Sequence, residues 1–305
     1  MPTPSSRRSL GQAERVEFLS DPWGWWVAPF VDSELMRDAL LAGLLTVVTT
    51  SLVGTWVVLR GMSFLGDALA HGVLPGIAIA FIIGFDTSIG ALVAAGAMVG
   101  GIAVIRKHSP LPDDTSIGVL FVGFLALAVV IMSTQRASYT GDLNRFLFGS
   151  ITGLDSSDVI RQGIAAAIAL VGVVVLYRAF LVMTFDVSLA SMLGLRPGLA
   201  QAALLALLAI SIVSSFQSVG NLLVFAFLIA PPAAASLLVR RVPMIMVVSI
   251  TLGSLATLIG ILVSYHHATA AGATMALTSV IIFFVVLAGS VAQRALAQRR
   301  RLTPA

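Results

Sequence analysis

The sequence predicts an all-α protein, a polytopic bundle of transmembrane helices, and three observations lead there. Of 305 residues, 58% are hydrophobic and only 10% charged, whereas soluble domains carry roughly a quarter charged residues. The mean hydropathy is +1.02. Apolar runs near the ~20 residues that a bilayer core requires follow one another along the chain, and charged or turn-forming residues fall in the breaks between them. There is no cysteine, which excludes a disulfide framework and any thiolate metal site. The net charge of +4 rests almost wholly on arginine, since Lys107 is the only lysine. In so apolar a chain this balance suits loops and anionic lipid, not nucleic acid.

Taken in order, residues 1–35 read as a polar N-terminal tail. The first twenty lack the apolar core of a signal peptide, and Trp23, Trp25 and Trp26 suit a membrane–water interface. Residues 36–293 form the membrane domain, and a basic tail, 294–305, closes the chain. About nine spans are expected, within a range of eight to ten: 36–59, 63–84, 87–105, 115–134, 158–178, 199–216, 220–239, 243–264 and 272–293. Arg60, Arg106, Lys107, Arg178, Arg196, Arg240, Arg241, Arg294 and the arginines at 299–301 gather at one set of span ends. Beyond the N-terminal region the opposite set holds only Arg136, Arg145 and Arg161. The positive-inside rule therefore puts the C-terminus in the cytoplasm and, with nine spans, the N-terminus outside.

The second span carries the main chemical anomaly. Asp67, His71 and Pro75 stand four residues apart, so a helix places them on nearly one face. Ionisable groups inside spans are costly and usually line an interior path. Pro75 lacks an N–H and its ring crowds the carbonyl of residue 71, so a kink beside His71 should offer a carboxylate, an imidazole and a freed carbonyl together. One hard oxygen and one borderline nitrogen suit a divalent transition metal better than an organic substrate. Two ligands make only a weak site, which is what transit requires. The plainer alternative is that Asp67 caps a helix and His71 hydrogen-bonds a neighbouring one.

The later elements are marked by small and helix-breaking residues. Gly96 with Gly100, and Gly253 with Thr257 and Gly260, allow close helix approach. Pro231 and Pro232 interrupt the seventh span as a kink or hinge. After the fifth span, Asp186 can cap a short helix through Leu193, Gly194 can end it, and Pro197 can restart the chain. Val187, Ala190 and Leu193 would form its apolar edge. On the outer side, Leu143, Phe146, Leu147 and Phe148 within 136–157 suggest a short surface helix. Asp86, Asp142, Asp155 and Asp158 also fall at outer ends and would make the entrance acidic. His266 and His267 follow the eighth span beside Tyr265; in a loop, both could contact an arriving metal, while His108 is read as a solvated inner-loop residue.

Several of these stretches resemble, in order and spacing, the permease subunits of the ABC importers for zinc, manganese and iron(II), the ABC-3 type membrane component. They are GMSFLGDALAHGVLPGIAIAF, DDTSIGVLFVGFLALAVVI, DLNRFLFGSI, TFDVSLASMLGL, SVGNLLVFAFLIAPPAAAS and SYHHATAAGAT, and the likeness runs from about residue 30 to 290. It departs where Ala271 precedes Gly272, a place where the family usually has proline, and at the His266–His267 pair. The resemblance implies a type II ABC importer-like bundle in the bacterial cell membrane, working by alternating access. It implies a second permease copy as homodimer partner and a cytoplasmic ABC ATPase docked at the coupling loop of Asp186, Ala190 and Gly194. It also implies an extracytoplasmic metal-binding protein. Zn²⁺, Mn²⁺ or Fe²⁺ would then be cargo, with no permanently bound cofactor.

No enzyme signature is present. Without G-x-x-x-x-G-K-[ST], ATP would have to be hydrolysed by another chain, and without H-E-x-x-H the obvious intramembrane zinc protease is excluded. The alternative reading is a gradient-driven secondary cation transporter in which Asp67 and His71 serve as a proton and metal site.

Overall fold

The computed structural model describes residues 22–109, 112–133 and 156–302. Among them the chain is a bundle of α-helices without strands. Two short helices, α1 (Pro22–Trp26) and α2 (Ala28–Asp32), lead into α3 (Glu34–Leu59). Then come α4 (Ser63–Gly72), α5 (Leu74–Ile83), α6 (Thr87–His108) and α7 (Asp113–Ser133). The second half holds α8 (Ser156–Phe185), the six-residue α9 (Val187–Met192), α10 (Pro197–Val219), α11 (Asn221–Leu238), α12 (Val242–His267) and α13 (Ala271–Leu302). Among the described residues eight stretches are long and apolar enough to cross a membrane, the second of them made of α4 and α5 together. The shorter apolar helix Val224–Leu238 stands where the seventh expected span lies.

The bundle is built around α3, which packs against α8, α10, α11 and α12. Three of its interior hydroxyls are satisfied locally: Thr49, Thr50 and Thr55 each donate to the carbonyl four residues earlier at 2.7 Å. Small residues bring its neighbours close. A side chain added at Gly43 would meet Thr257 at 2.7 Å, and one at Gly253 would meet Val47 at 2.6 Å. Both Pro231 and Pro232 lie inside α11, and Pro232 leaves the Leu228 carbonyl without its helical donor. That carbonyl faces Gly54 of α3, where a Cβ would lie 2.0 Å from the oxygen. The kinked segment thus fits only against a glycine.

Several expectations change. The span predicted at 158–178 continues as α8 to Phe185, because nothing breaks the helix and the buried Phe180 and Met183 hold its extra turns in the core. The basic tail continues α13 through Leu302. A Cβ at Gly96 or Gly100 would meet no atom of the described residues within 4 Å, so among them this pair makes no close helix contact, whereas Gly253 and Gly260 do. The surface helix read in 136–157, with Asp142 and Asp155, lies outside the described residues, as does the tail up to residue 21.

Candidate functional site

The second span is interrupted at Val73, whose φ of −79° and ψ of −19° stay helical and whose backbone bonds run to Leu69 and from Ile77, so α4 and α5 follow one another along one span. Pro75 stands in the first turn of α5. The Val73 N–H donates to the Leu69 carbonyl at 3.2 Å, and Pro75 leaves the His71 carbonyl without its helical donor, as its ring chemistry requires. The expected pairing of side chains does form: His71 Nε2 lies 3.7 Å from Asp67 Oδ1. Their side chains are 17% and 33% exposed, sheltered yet reachable. His71 Nδ1 is buried and has no hydrogen-bond partner among the described residues.

The surroundings hold this pair from two sides. Gly66, next to Asp67, lets α4 approach α11 so closely that a Cβ there would lie 2.7 Å from the Leu228 side chain. From α7, the Phe121 ring stands edge-on to His71 with centroids 5.5 Å apart. Phe121 also meets Phe64 edge-on at 6.1 Å. Among the described residues no group of three or more His, Asp or Glu side chains could hold a metal ion. The Asp67–His71 pair thus brings together two groups able to bind a metal, short of the four ligands of a closed structural zinc centre.

The short helix expected after the fifth span forms as α9. Asp186 caps α9 by accepting from the Ser188 and Leu189 N–H groups at 2.8 and 2.9 Å. At the other end the Leu195 N–H donates to the Ala190 carbonyl and the Gly194 N–H to the Ser191 carbonyl, with Gly194 at φ 72°. This is a Schellman closure, which favours glycine. One part of the expected apolar edge is reversed. Ala190 is fully buried against the bundle, while Val187 and Leu193 point outward with Leu189, Phe185 and Met192, the last 84% exposed.

The histidine pair is not a loop feature. His266 and His267 occupy the last turn of α12, and adjacent helical positions diverge. His266 stacks on Trp25 at 4.3 Å and 9°, with Nε2 3.2 Å from the Trp25 carbonyl, which ties the N-terminal segment down; His267 is exposed. Neither histidine joins Asp67 and His71. The predicted acidic entrance is partly neutralised. Arg161 lies 3.6 Å from Asp86 and 4.0 Å from Asp158. Burial pushes the Asp86 carboxyl up, but hydrogen bonds from Ser88 and attraction to Arg161 outweigh it and hold the group below its usual range.

Four polar contacts escaped the sequence reading, the first two made by Gln162. Gln162 is buried and donates to Thr49 at 3.5 Å and Ser215 at 3.4 Å, joining α8 to α3 and α10. At the other end Arg60 donates to the Gln201 side-chain oxygen, and Gln201 reaches the Met62 sulfur at 3.7 Å. A glutamine inside an apolar run was the available signal for the first two; nothing local announces the other two.

The chain is similar to proteins of known class over most of its length. It is 35% identical over 266 residues to the "Manganese transport system membrane protein MntC" of Listeria monocytogenes, covering 87% of this chain and 94% of that one. It is 33% identical over 265 residues to the "Probable iron transport system membrane protein" of Haemophilus influenzae, covering 87% and 97%. Among solved structures, PsaBC from Streptococcus pneumoniae in complex with Fab superposes with a TM-score of 0.77 at 32% identity, covering 85% of this chain and 95% of that one. Residues 32–290 match the profile of the ABC 3 transport family, and the chain belongs to that family.

Proposed function

We propose that this chain is the membrane-spanning permease of an ATP-driven importer of a divalent transition metal, manganese or iron(II), and that Asp67 and His71 form its transit site. The observation that carries the reading is the pair itself: a carboxylate and an imidazole 3.7 Å apart, sheltered within a span, in a chain whose relatives are named as manganese and iron transport proteins. The buried Nδ1 of His71, without a partner among the described residues, fits a ring whose orientation is set by packing against Phe121. Oxygen with nitrogen is a donor set suited to Mn²⁺ and Fe²⁺, and Zn²⁺ shares it. A second copy of the chain would bring two further ligands to the half-site. Alternating access would then follow from an ATPase on another chain pressing on α9. Membership of an ABC family leaves the gradient-driven alternative without support.

The test is Mn²⁺ uptake into proteoliposomes carrying the permease with its ATPase and metal-binding protein. Asp67→Asn and His71→Ala should each slow ATP-driven uptake by about tenfold or more, the scale of damage to a metal site, while the protein elutes as a folded complex. Normal uptake in both variants would sink the transit-site reading.

A further inference from the structure

The end of the bundle that carries Arg60 contains a cavity of about 530 Å³, lined among others by Arg60, Phe64, Leu65, Asp114, Ile117 and Gln201. The arginine asymmetry assigns this end to the cytoplasm. The contacts of Gln201 with Arg60 and with the Met62 sulfur join α10 to the start of α4 and brace one wall. Phe64 is the element shared between the cavity and the transit site. It precedes Asp67 by three residues and His71 by seven, so all three lie on one face of α4. Between cavity and imidazole stand two rings in series: Phe64 edge-on to Phe121 at 6.1 Å, then Phe121 edge-on to His71 at 5.5 Å. The rings come from different helices, α4 and α7, which pack side by side.

We infer that Phe64 and Phe121 are the inner gate of the transport path, closing the Asp67–His71 site off from a cytoplasmic vestibule whose first carboxylate is Asp114. The inference rests on the transit-site reading above. A hydrated divalent cation gains no polar contact from two phenyl edges and loses water on approaching them, so an apolar constriction blocks it without any charge. Separation of α4 from α7 removes both rings at once, because each ring needs the other helix to complete the barrier. Beyond the gate, Asp114 supplies a carboxylate to an emerging ion. The fixed positive charge of Arg60 in the same cavity discourages the ion from settling or returning. Phe121 has a second duty as a positioning residue, since its edge fixes the plane of the His71 ring.

The experiment uses the full permease–ATPase complex in proteoliposomes with Mn²⁺ as probe. Phe64→Ala and Phe121→Ala should each raise the ATP-independent leak of Mn²⁺ by about tenfold, the effect of a modest loss of barrier height. Phe121→Leu, which keeps bulk, should leak less than Phe121→Ala. Adding Asp67→Asn to Phe121→Ala should abolish the extra leak if ions pass through the transit site. Leak equal to that of the unmodified complex in both alanine variants, with ATP-driven uptake intact, overturns the gate. Because the chain has no cysteine, a second measurement is independent of variant transport. Asp114→Cys, exposed in the vestibule, should react with a small impermeant thiol reagent from that side about tenfold faster than His71→Cys, and equal rates overturn the gate. If Asp67→Asn alone leaves uptake unchanged, the transit-site reading fails, while the difference between positions 114 and 71 still reports the barrier.

Discussion

At the scale of single residues, the chemistry splits into groups whose role follows from local spacing and groups that depend on distant neighbours. The Asp67–His71 pair was legible because four-residue spacing on a helix fixes proximity whatever surrounds it. Phe121, Gln162 and Gln201 were not, since each acquires meaning only from a helix far away in sequence. His266 misled for a related reason: its last-turn position and its stacking on Trp25 are tertiary facts. Asp86 offers a residue-scale test of the outer end. Its folded-state pKa lies below the ordinary 3.8, so its contribution to stability is present above pH 3.8 and is lost as pH falls through the lower folded value. Asp86→Asn preserves capping capacity and removes only the charge that faces Arg161. The variant should lose about 1 kcal/mol or less near neutrality, as partly exposed ion pairs do. Its thermal stability in detergent should also depend less steeply on acid than that of the parent. An unchanged acid limb would count against the pairing.

At the scale of elements, helix existence was readable and helix ends were uneven. The ends of α9 were legible because Asp186, Gly194 and Pro197 act within a few residues of themselves. The end of α8 was not, because Tyr177 and Arg178 mark a membrane surface without breaking a helix, and burial of Phe180 and Met183 carries it onward. Glycine shows the same divide. Gly54 faces the Leu228 carbonyl that Pro232 leaves unpaired, while a Cβ at Gly96, in an equally suggestive motif, would meet no atom of the described residues within 4 Å. Gly54→Ala should therefore cost about 1–3 kcal/mol, as overpacking does. Gly96→Ala should be neutral or stabilise by about 1 kcal/mol or less, the helix-propensity gain. Thermal unfolding of the detergent-purified chain compares them. A comparable loss at Gly96 that appears only in the dimer would reveal a second copy packed there.

At the scale of the whole molecule, the multi-pass bundle followed from composition, and the family from motifs spread along most of the chain. What remained illegible was which side of α9 faces away. Ala190 anchors that helix to the bundle, and the outward surface is Phe185, Val187, Leu189 and Met192. Exposed apolar side chains grouped on one short helix suit a partner surface, so Met192→Glu should sharply reduce co-purification of the ATPase without changing the stability of the permease. A bulky residue at Ala190 should instead dislodge the helix and lower stability as well; undiminished ATPase recovery with Met192→Glu would place the docking surface elsewhere. The break at Val73 has a further consequence, for biogenesis. Each half of the second span has ten residues, roughly 15 Å of helix against a hydrocarbon core of about 30 Å. The first half also carries an aspartate, which costs about 3 kcal/mol at mid-bilayer. The two halves therefore cross only as one continuous stretch of 21 residues, and α6 and α7, which are made after it, pack against it. On the proposed function, His71 gains the ring that packs edge-on against it only once Phe121 has been synthesised.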